Sequence, residues 1–169
     1  MFFVDIFDHT SKIIKIFILT CRNVFLRTYI LYMATLNNPN AFNELVLQDQ
    51  MDTELGTIYI YNSIVMMEAH ENVTISIATG MFILLKLLTK IGTKPIVYIS
   101  HRINSYSVDP NDYRHLEMIP NLKGIAVVSY SASGRSTAES LEKKFYQKPF
   151  QTFSNLTEAT YWANEVLVQ

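Results

Sequence analysis

A serine-rich segment, residues 131–136, holds the side chains whose types and spacing most favour chemistry. It follows the apolar run 124–130 and precedes a helical pattern, so we expect it to join the end of a strand to the start of a helix. The unpaired amides at a helix start favour an anion. The predicted anion-binding residues are Ser131, Ser133, Gly134, Arg135 and Ser136.

The alternative interpretation of this segment is an ordinary helix cap, because serine is a favoured N-cap for structural reasons alone. Neither the P-loop motif Gly-x-x-x-x-Gly-Lys-Ser/Thr nor the dinucleotide motif Gly-x-Gly-x-x-Gly occurs in the chain. A nucleotide-binding loop is therefore not indicated, and no cofactor is expected.

The neighbouring residues Ser100 and His101 suggest a nucleophile and its base. Adjacent residues of an extended chain point to opposite faces, so these two side chains are not expected to hydrogen-bond to each other. The histidines also lack the spacing of a metal site, since no His-x-x-x-His or His-Glu-x-x-His occurs. No catalytic residue and no metal ligand is predicted, and we expect a protein that is not an enzyme.

These segments must be positioned by alternating strands and helices. The predicted order is β-β-α-β-α-β-α-β-α, which indicates an α/β fold with a mixed, mainly parallel sheet and helices packed on it. Asn62 and Ser63 predict a hairpin between the first two strands. The predicted strands are 57–61, 64–68, 94–99, 124–130 and 149–153, and the predicted helices are 74–91, 110–118, 137–146 and 157–168.

The first 50 residues differ in composition from the rest and are predicted to be an N-terminal extension, with the domain at 51–169. Residues 1–36 are apolar with interspersed basic residues, which allows a helix at a membrane surface but not a span. Two alternatives remain open for residues 1–32. They form a helix, or they are a disordered segment upstream of the true start of the protein. A short helix is also predicted within residues 41–50.

Bulk composition limits the function classes. Charged residues make up 17% of the chain and the net charge is −1, so no nucleic-acid partner is expected. Cys21 is the single cysteine, which excludes an intramolecular disulfide and favours a reducing compartment, here the cytoplasm.

The last third of the chain carries a family resemblance. It has a strand, a small polar turn, a helix, Lys148 and Pro149, a short apolar strand, and a helix containing Trp162. In this order the chain resembles the sulfate-transporter and anti-sigma-factor-antagonist (STAS) domain, in particular small uncharacterised bacterial STAS-like proteins, over about residues 52–168.

The resemblance implies a phosphorylation site after the central strand. Anti-sigma-factor antagonists carry Asp-Ser-Ser-Gly there, and a partner kinase phosphorylates one serine. The matching segment here, residues 105–110, lacks that motif. The hydroxyls that remain are Ser105 and Ser107, and Tyr106 and Tyr113 are the neighbouring predicted partner-binding residues.

Two functions of different class follow. The resemblance implies a non-enzymatic regulatory module that binds an unidentified protein partner, through an exposed apolar patch predicted at Ile103, Tyr106 and Tyr113. The alternative is a small-ligand binding domain, which takes an anion at residues 131–136, in a pocket beside Arg135, or a lipid-like molecule in a groove between helices. The sequence leaves the oligomeric state open.

Overall fold

The computed structural model describes residues 45–169, which form one unit. The predictions for residues 1–36 and 1–32, and most of the predicted 1–50 extension, lie outside the described residues.

Six strands form one mixed sheet in the order β1-β2-β3-β5-β7-β8. The strands β1, β2 and β3 pair antiparallel, and β3, β5, β7 and β8 pair parallel. Two short strands, β4 and β6, form a separate parallel pair. The strands are β1 Asp49–Thr53, β2 Gly56–Ile60, β3 Ile64–Ala69, β4 Thr74–Ile75, β5 Ile96–Arg102, β6 Ser107–Val108, β7 Leu122–Ser129 and β8 Phe150–Phe153.

Four α-helices accompany the sheet within residues 45–169. A 3-10 turn, Pro110–Asp112, leads into α2, and α3 continues through a π-helical turn, Ala138–Glu142, into a 3-10 turn, Lys143–Phe145. The α-helices are α1 Ile77–Ile91, α2 Tyr113–Glu117, α3 Ala132–Thr137 and α4 Leu156–Leu167. The predicted α/β fold class is confirmed, since the described residues give a mainly parallel sheet with an antiparallel hairpin.

The sheet is apolar on both faces, which explains why its central strands are nearly continuous hydrophobic runs. One core cluster contains Val65, Val127 and Leu87 of α1, and the other contains Ile99 and Ala163 of α4. Phe150 lies in the first cluster and Phe153 in the second, as expected for residues an odd number apart on a strand.

The edge strand β1 is absent from the predicted order. Residues 45–48 have no helix and Asp49 begins the strand, so the predicted helix over 41–50 is wrong across its described part. Thr53 pairs with Gly56 to close a tight hairpin, and the Thr53 hydroxyl donates to the Gly56 carbonyl at 2.6 Å. Pairing with β2 thus outweighs the local helical spacing.

The serine-rich segment is largely helical. The Ser131 hydroxyl accepts a hydrogen bond from the Gly134 amide at 2.9 Å, and α3 begins at Ala132. The expectation that the helix begins only at residue 137 is therefore wrong, because the cap already satisfies an amide of the first turn.

Candidate functional site

An apolar cavity of about 150 Å³ lies between α1 and one face of the sheet. Side chains of β2, β3 and β5 form its floor, and the inner face of α1 covers it. Its main apolar lining residues are Ile58, Val65, Met67, Ile83, Leu84 and Leu87.

The ends of α1 are fixed by local hydrogen bonds. Ser76 and Thr79 cap each other reciprocally at the start, and Gly92 ends the helix with φ +65°. The Asp112 carboxylate accepts from the Ile77 amide at 2.6 Å, which ties the helix start to the turn before α2. With Gly80 on its inner face, the helix spans the cavity without filling it.

Hydroxyl groups form one end of the cavity, where β5 reaches its carboxyl end. The Ser100 Oγ and the Tyr106 Oη lie 2.6 Å apart, and Tyr98, two residues before Ser100, lies on the same face of β5. Burial raises the pKa of Tyr98 and the pKa of Tyr106, so both phenols remain protonated and neutral near pH 7.

An ion pair lies behind these hydroxyls. The Arg102 guanidinium donates to both Glu142 carboxylate oxygens, at 2.8 and 2.6 Å, and Arg102 Nε donates to Ser100 Oγ at 3.3 Å. Burial is the largest single effect and lowers the Arg102 pKa, but the hydrogen bonds to Glu142 and the charge interactions with Glu142, Tyr106 and Tyr113 together outweigh it, so the Arg102 pKa is raised. Tyr113 also donates to Glu142, and burial raises the pKa of Tyr113. The network therefore holds one positive and one negative charge.

A second polar cluster surrounds His101. Its Nδ1 lies 2.8 Å from Glu68 Oε1, and its Nε2 lies 3.0 Å from the hydroxyl of Tyr130, which is 61% exposed. Tyr59 donates to the other Glu68 oxygen at 3.2 Å. Ser100 and His101 thus belong to separate clusters, as their alternation along β5 predicts.

The predicted anion-binding residues do not surround the cavity. Arg135 turns back and donates to the Ser129 carbonyl at 2.6 Å, and Ser133 Oγ lies 3.3 Å from Ser131 Oγ. Gly134 donates its amide to the Ser131 cap, and Ser136 is exposed. The predicted pocket beside Arg135 is not the cavity that the structure shows, since Arg135 does not line it.

The predicted partner-binding residues are divided between surface and interior. Ser105 and Ser107 are exposed, and Ile103 is 51% exposed. Tyr106 is partly buried against Ser100, and Tyr113 is buried in the core. The predicted exposed patch is therefore wrong for both tyrosines, because their hydroxyls are drawn inward by hydrogen bonds to Ser100 and Glu142.

The sequence predicted a groove for a lipid-like molecule between unspecified helices, but it identified neither the residues that line the cavity nor the ion pair of Arg102 and Glu142. Arg102 and Glu142 are 40 positions apart, so no local spacing connects them. The sequence of α1 did indicate a cavity indirectly, because Gly80 interrupts an apolar helix and apolar residues lie on more than one of its faces. A helix of 15 residues with this pattern could equally have been a buried helix.

Within residues 45–169, no helix is long and apolar enough to cross a membrane. The His, Cys, Asp and Glu side chains of the same residues form no group of three that could hold a metal ion.

No model of a protein family matches the chain, and no curated protein matches it. Among solved structures, the chain is similar to the crystal structure of an uncharacterized protein from the DUF3478 family, with a SpoIIAA-like fold, from Shewanella loihica PV-4. The two are 12% identical, the match covers 70% of this chain and 93% of that one, and the TM-score is 0.45. This likeness is of the kind that the sequence resemblance predicted.

Proposed function

We propose that the domain is a non-enzymatic module, acting in the cytoplasm, that binds a small and mainly apolar molecule between α1 and the sheet. The observation that carries the proposal is the apolar cavity of about 150 Å³. Engineered apolar cavities of roughly this volume in another protein stay dry and bind benzene. A single-ring molecule is therefore the size class that fits.

The position of the cavity also supports uptake of a ligand. It lies under one helix that is held at its ends. Its lining is apolar apart from the hydroxyl end, Ser76, Tyr113 and two carboxylates, Asp109 and Asp112. Filling such a space restores dispersion contacts that the lining side chains lack when the cavity is empty.

The proposal is tested by thermal unfolding with and without toluene. Toluene at ten times its Kd should stabilise the protein by about 1.4 kcal/mol, because it binds only the folded state. Gly80→Leu should abolish this effect, since the new side chain occupies the cavity. Ala78→Leu is the matched control, because Ala78 lies exposed on the same helix and its substitution should leave toluene binding unchanged.

The proposal is rejected if toluene does not stabilise the unaltered protein and does not change its NMR spectrum. Stabilisation that persists in Gly80→Leu would place the binding site elsewhere.

A second candidate function is a protein-interaction module resembling anti-sigma-factor antagonists without their usual phospho-acceptor motif. The observation that favours it is the outer face of α1, where Phe82 is 85% exposed, Leu85 53% and Met81 38%. Contiguous exposed apolar side chains of this kind mark interaction surfaces.

This candidate predicts that a partner co-purifies with the unaltered chain and is lost from Phe82→Ser. A substitution at an exposed apolar residue outside α1, Tyr161→Ser, should retain the partner. Equal recovery with both variants would exclude the outer face of α1. Mass spectrometry of the native protein checks the remaining prediction of phosphorylation at Ser105 or Ser107.

A further inference from the structure

We infer that the ligand of the cavity carries a neutral hydrogen-bonding head group, a hydroxyl or a carbonyl, and not a carboxylate. This inference rests on the proposed function. It follows from the charges and hydrogen bonds at the end of the cavity formed by Tyr98, Ser100 and Tyr106.

The lining offers no positive charge to an anion. Among the described residues, those that line the cavity include no lysine, arginine or histidine, and they include the carboxylates of Asp109 and Asp112. A carboxylate in this space would lose its hydration without gaining a counter-charge, which is costly in an apolar environment.

Arg102 contacts the lining through Ser100, and Glu142 already pairs with its charge. The two side chains form a bidentate pair in which Arg102 is 15% and Glu142 5% exposed. A ligand carboxylate would have to displace Glu142, and separating a buried pair leaves an uncompensated charge. The pair is therefore expected to remain intact when a ligand binds.

The hydroxyl end retains unused hydrogen-bonding capacity. Tyr98, Ser100 and Tyr106 carry three hydroxyl hydrogens, and a single hydrogen bond joins two of these groups, Ser100 and Tyr106. One O–H can therefore donate to a ligand oxygen, and unused lone pairs can accept from a ligand hydroxyl. A single-ring phenol or ketone matches this arrangement, with its ring among the leucine and isoleucine side chains.

An ammonium group is the competing head group, because Asp109 and Asp112 could pair with it. The hydroxyls favour the neutral group instead. Asp109 is exposed and already accepts from the Asn111 amide at 3.0 Å, while Asp112 already accepts from the Ile77 amide.

The test compares four ligands that share a methyl-substituted ring, by isothermal titration calorimetry at pH 7. They are toluene, 4-methylphenol, 4-methylbenzoate and 4-methylbenzylamine. We expect 4-methylphenol to bind about three- to tenfold more tightly than toluene, which is the net contribution of roughly one neutral hydrogen bond. The benzoate and the amine should bind more weakly than toluene.

A variant then assigns the effect to the hydroxyls. Tyr98→Phe, Ser100→Ala and Tyr106→Phe together replace the three hydroxyls by groups of similar shape, so the phenol should lose its advantage in affinity over toluene. Tyr130→Phe is the control, because its hydroxyl contacts His101 in the separate cluster, and it should keep the advantage.

The outcomes separate this inference from the proposed function. If toluene and the phenol bind equally, or if the benzoate or the amine binds most tightly, the head-group inference is overturned while the cavity remains a ligand site. If none of the four binds, the proposed function itself fails. Because the four ligands are compared on the unaltered protein, the inference is tested even where the triple variant does not fold.

Discussion

Replacing Gly80 by alanine should stabilise the protein, because a glycine inside α1 lines an incompletely filled cavity. A Cβ at this position would lie 3.8 Å from Leu55 Cδ1, an ordinary van der Waals contact. The helix gains about 0.5–1 kcal/mol from the lower backbone entropy of the unfolded chain. The added methyl group gains up to roughly 0.8 kcal/mol by leaving water.

Together these terms predict a stabilisation of roughly 1–2 kcal/mol and a rise in Tm of roughly 4–8 °C for a domain of this size. Urea and thermal unfolding followed by circular dichroism measure both quantities. Gly92→Ala is the paired control with the opposite sign. Gly92 has φ +65°, where a Cβ is strained, so alanine should destabilise by about 1 kcal/mol even though no described atom lies within 4 Å of the new Cβ.

Destabilisation of the protein by Gly80→Ala would refute the reasoning, since it would mean that the inner face of α1 is already closely packed. Stabilisation by Gly92→Ala would show that Gly92 does not hold the positive φ with which the helix ends.

Three further predictions concern stability. Gly56→Ala should destabilise the protein by at least about 3 kcal/mol or prevent folding, because φ is +146° and a Cβ would lie 2.2 Å from the Glu68 carbonyl oxygen. A urea midpoint within error of that of the unaltered protein would contradict this prediction. Glu142→Gln should cost roughly 3 kcal/mol at pH 7, because it leaves the buried Arg102 charge without its counter-charge, and urea unfolding measures this. Tyr146→Phe should stabilise by about 1 kcal/mol, because the buried Tyr146 hydroxyl has no hydrogen-bond partner among the described residues. Burial also raises the Tyr146 pKa above its unfolded value of about 10, so the folded state favours the neutral phenol. The stability of the tyrosine protein is therefore unaffected by this titration below about pH 10 and falls as the pH rises beyond that, because the phenol then ionises more readily in the unfolded state. The phenylalanine variant should unfold at higher pH, and a Tm difference that stays constant from pH 8 to 11 would argue against this.

The arrangement of the sheet could be predicted because its signals are local. Buried parallel strands appear as continuous apolar runs, and Asp109 and Pro110 mark a helical start by their own chemistry. The hairpin at Asn62 and Ser63 is confirmed by the pairing of Ile60 with Val65. In each case a few consecutive residues contain the physical reason for the structure.

The cavity and its polar end could not be predicted, because they depend on contacts between distant parts of the chain. Ser100 meets Tyr106 only because residues 103–105 turn the chain back, and Arg102 meets Glu142 across 40 positions. Tyr113 was predicted to lie in the exposed partner-binding patch, yet it is buried and its hydroxyl donates to Glu142. Edge strand β1 was missed for the same reason, as its partner β2 and not its own pattern determines it.

Helix α1 has two apolar faces with different surroundings: its inner face covers the cavity, and its outer face carries Phe82 and Leu85. A small molecule and a protein that bind these two faces share one structural element. If filling the cavity moves α1, each of them must change the affinity of the other by the same factor, since the coupling free energy is reciprocal. If the displacement of α1 gives a coupling free energy of about 1.4 kcal/mol between the two sites, both affinities change about tenfold. In this way, occupancy of the cavity could change the affinity of α1 for a protein partner.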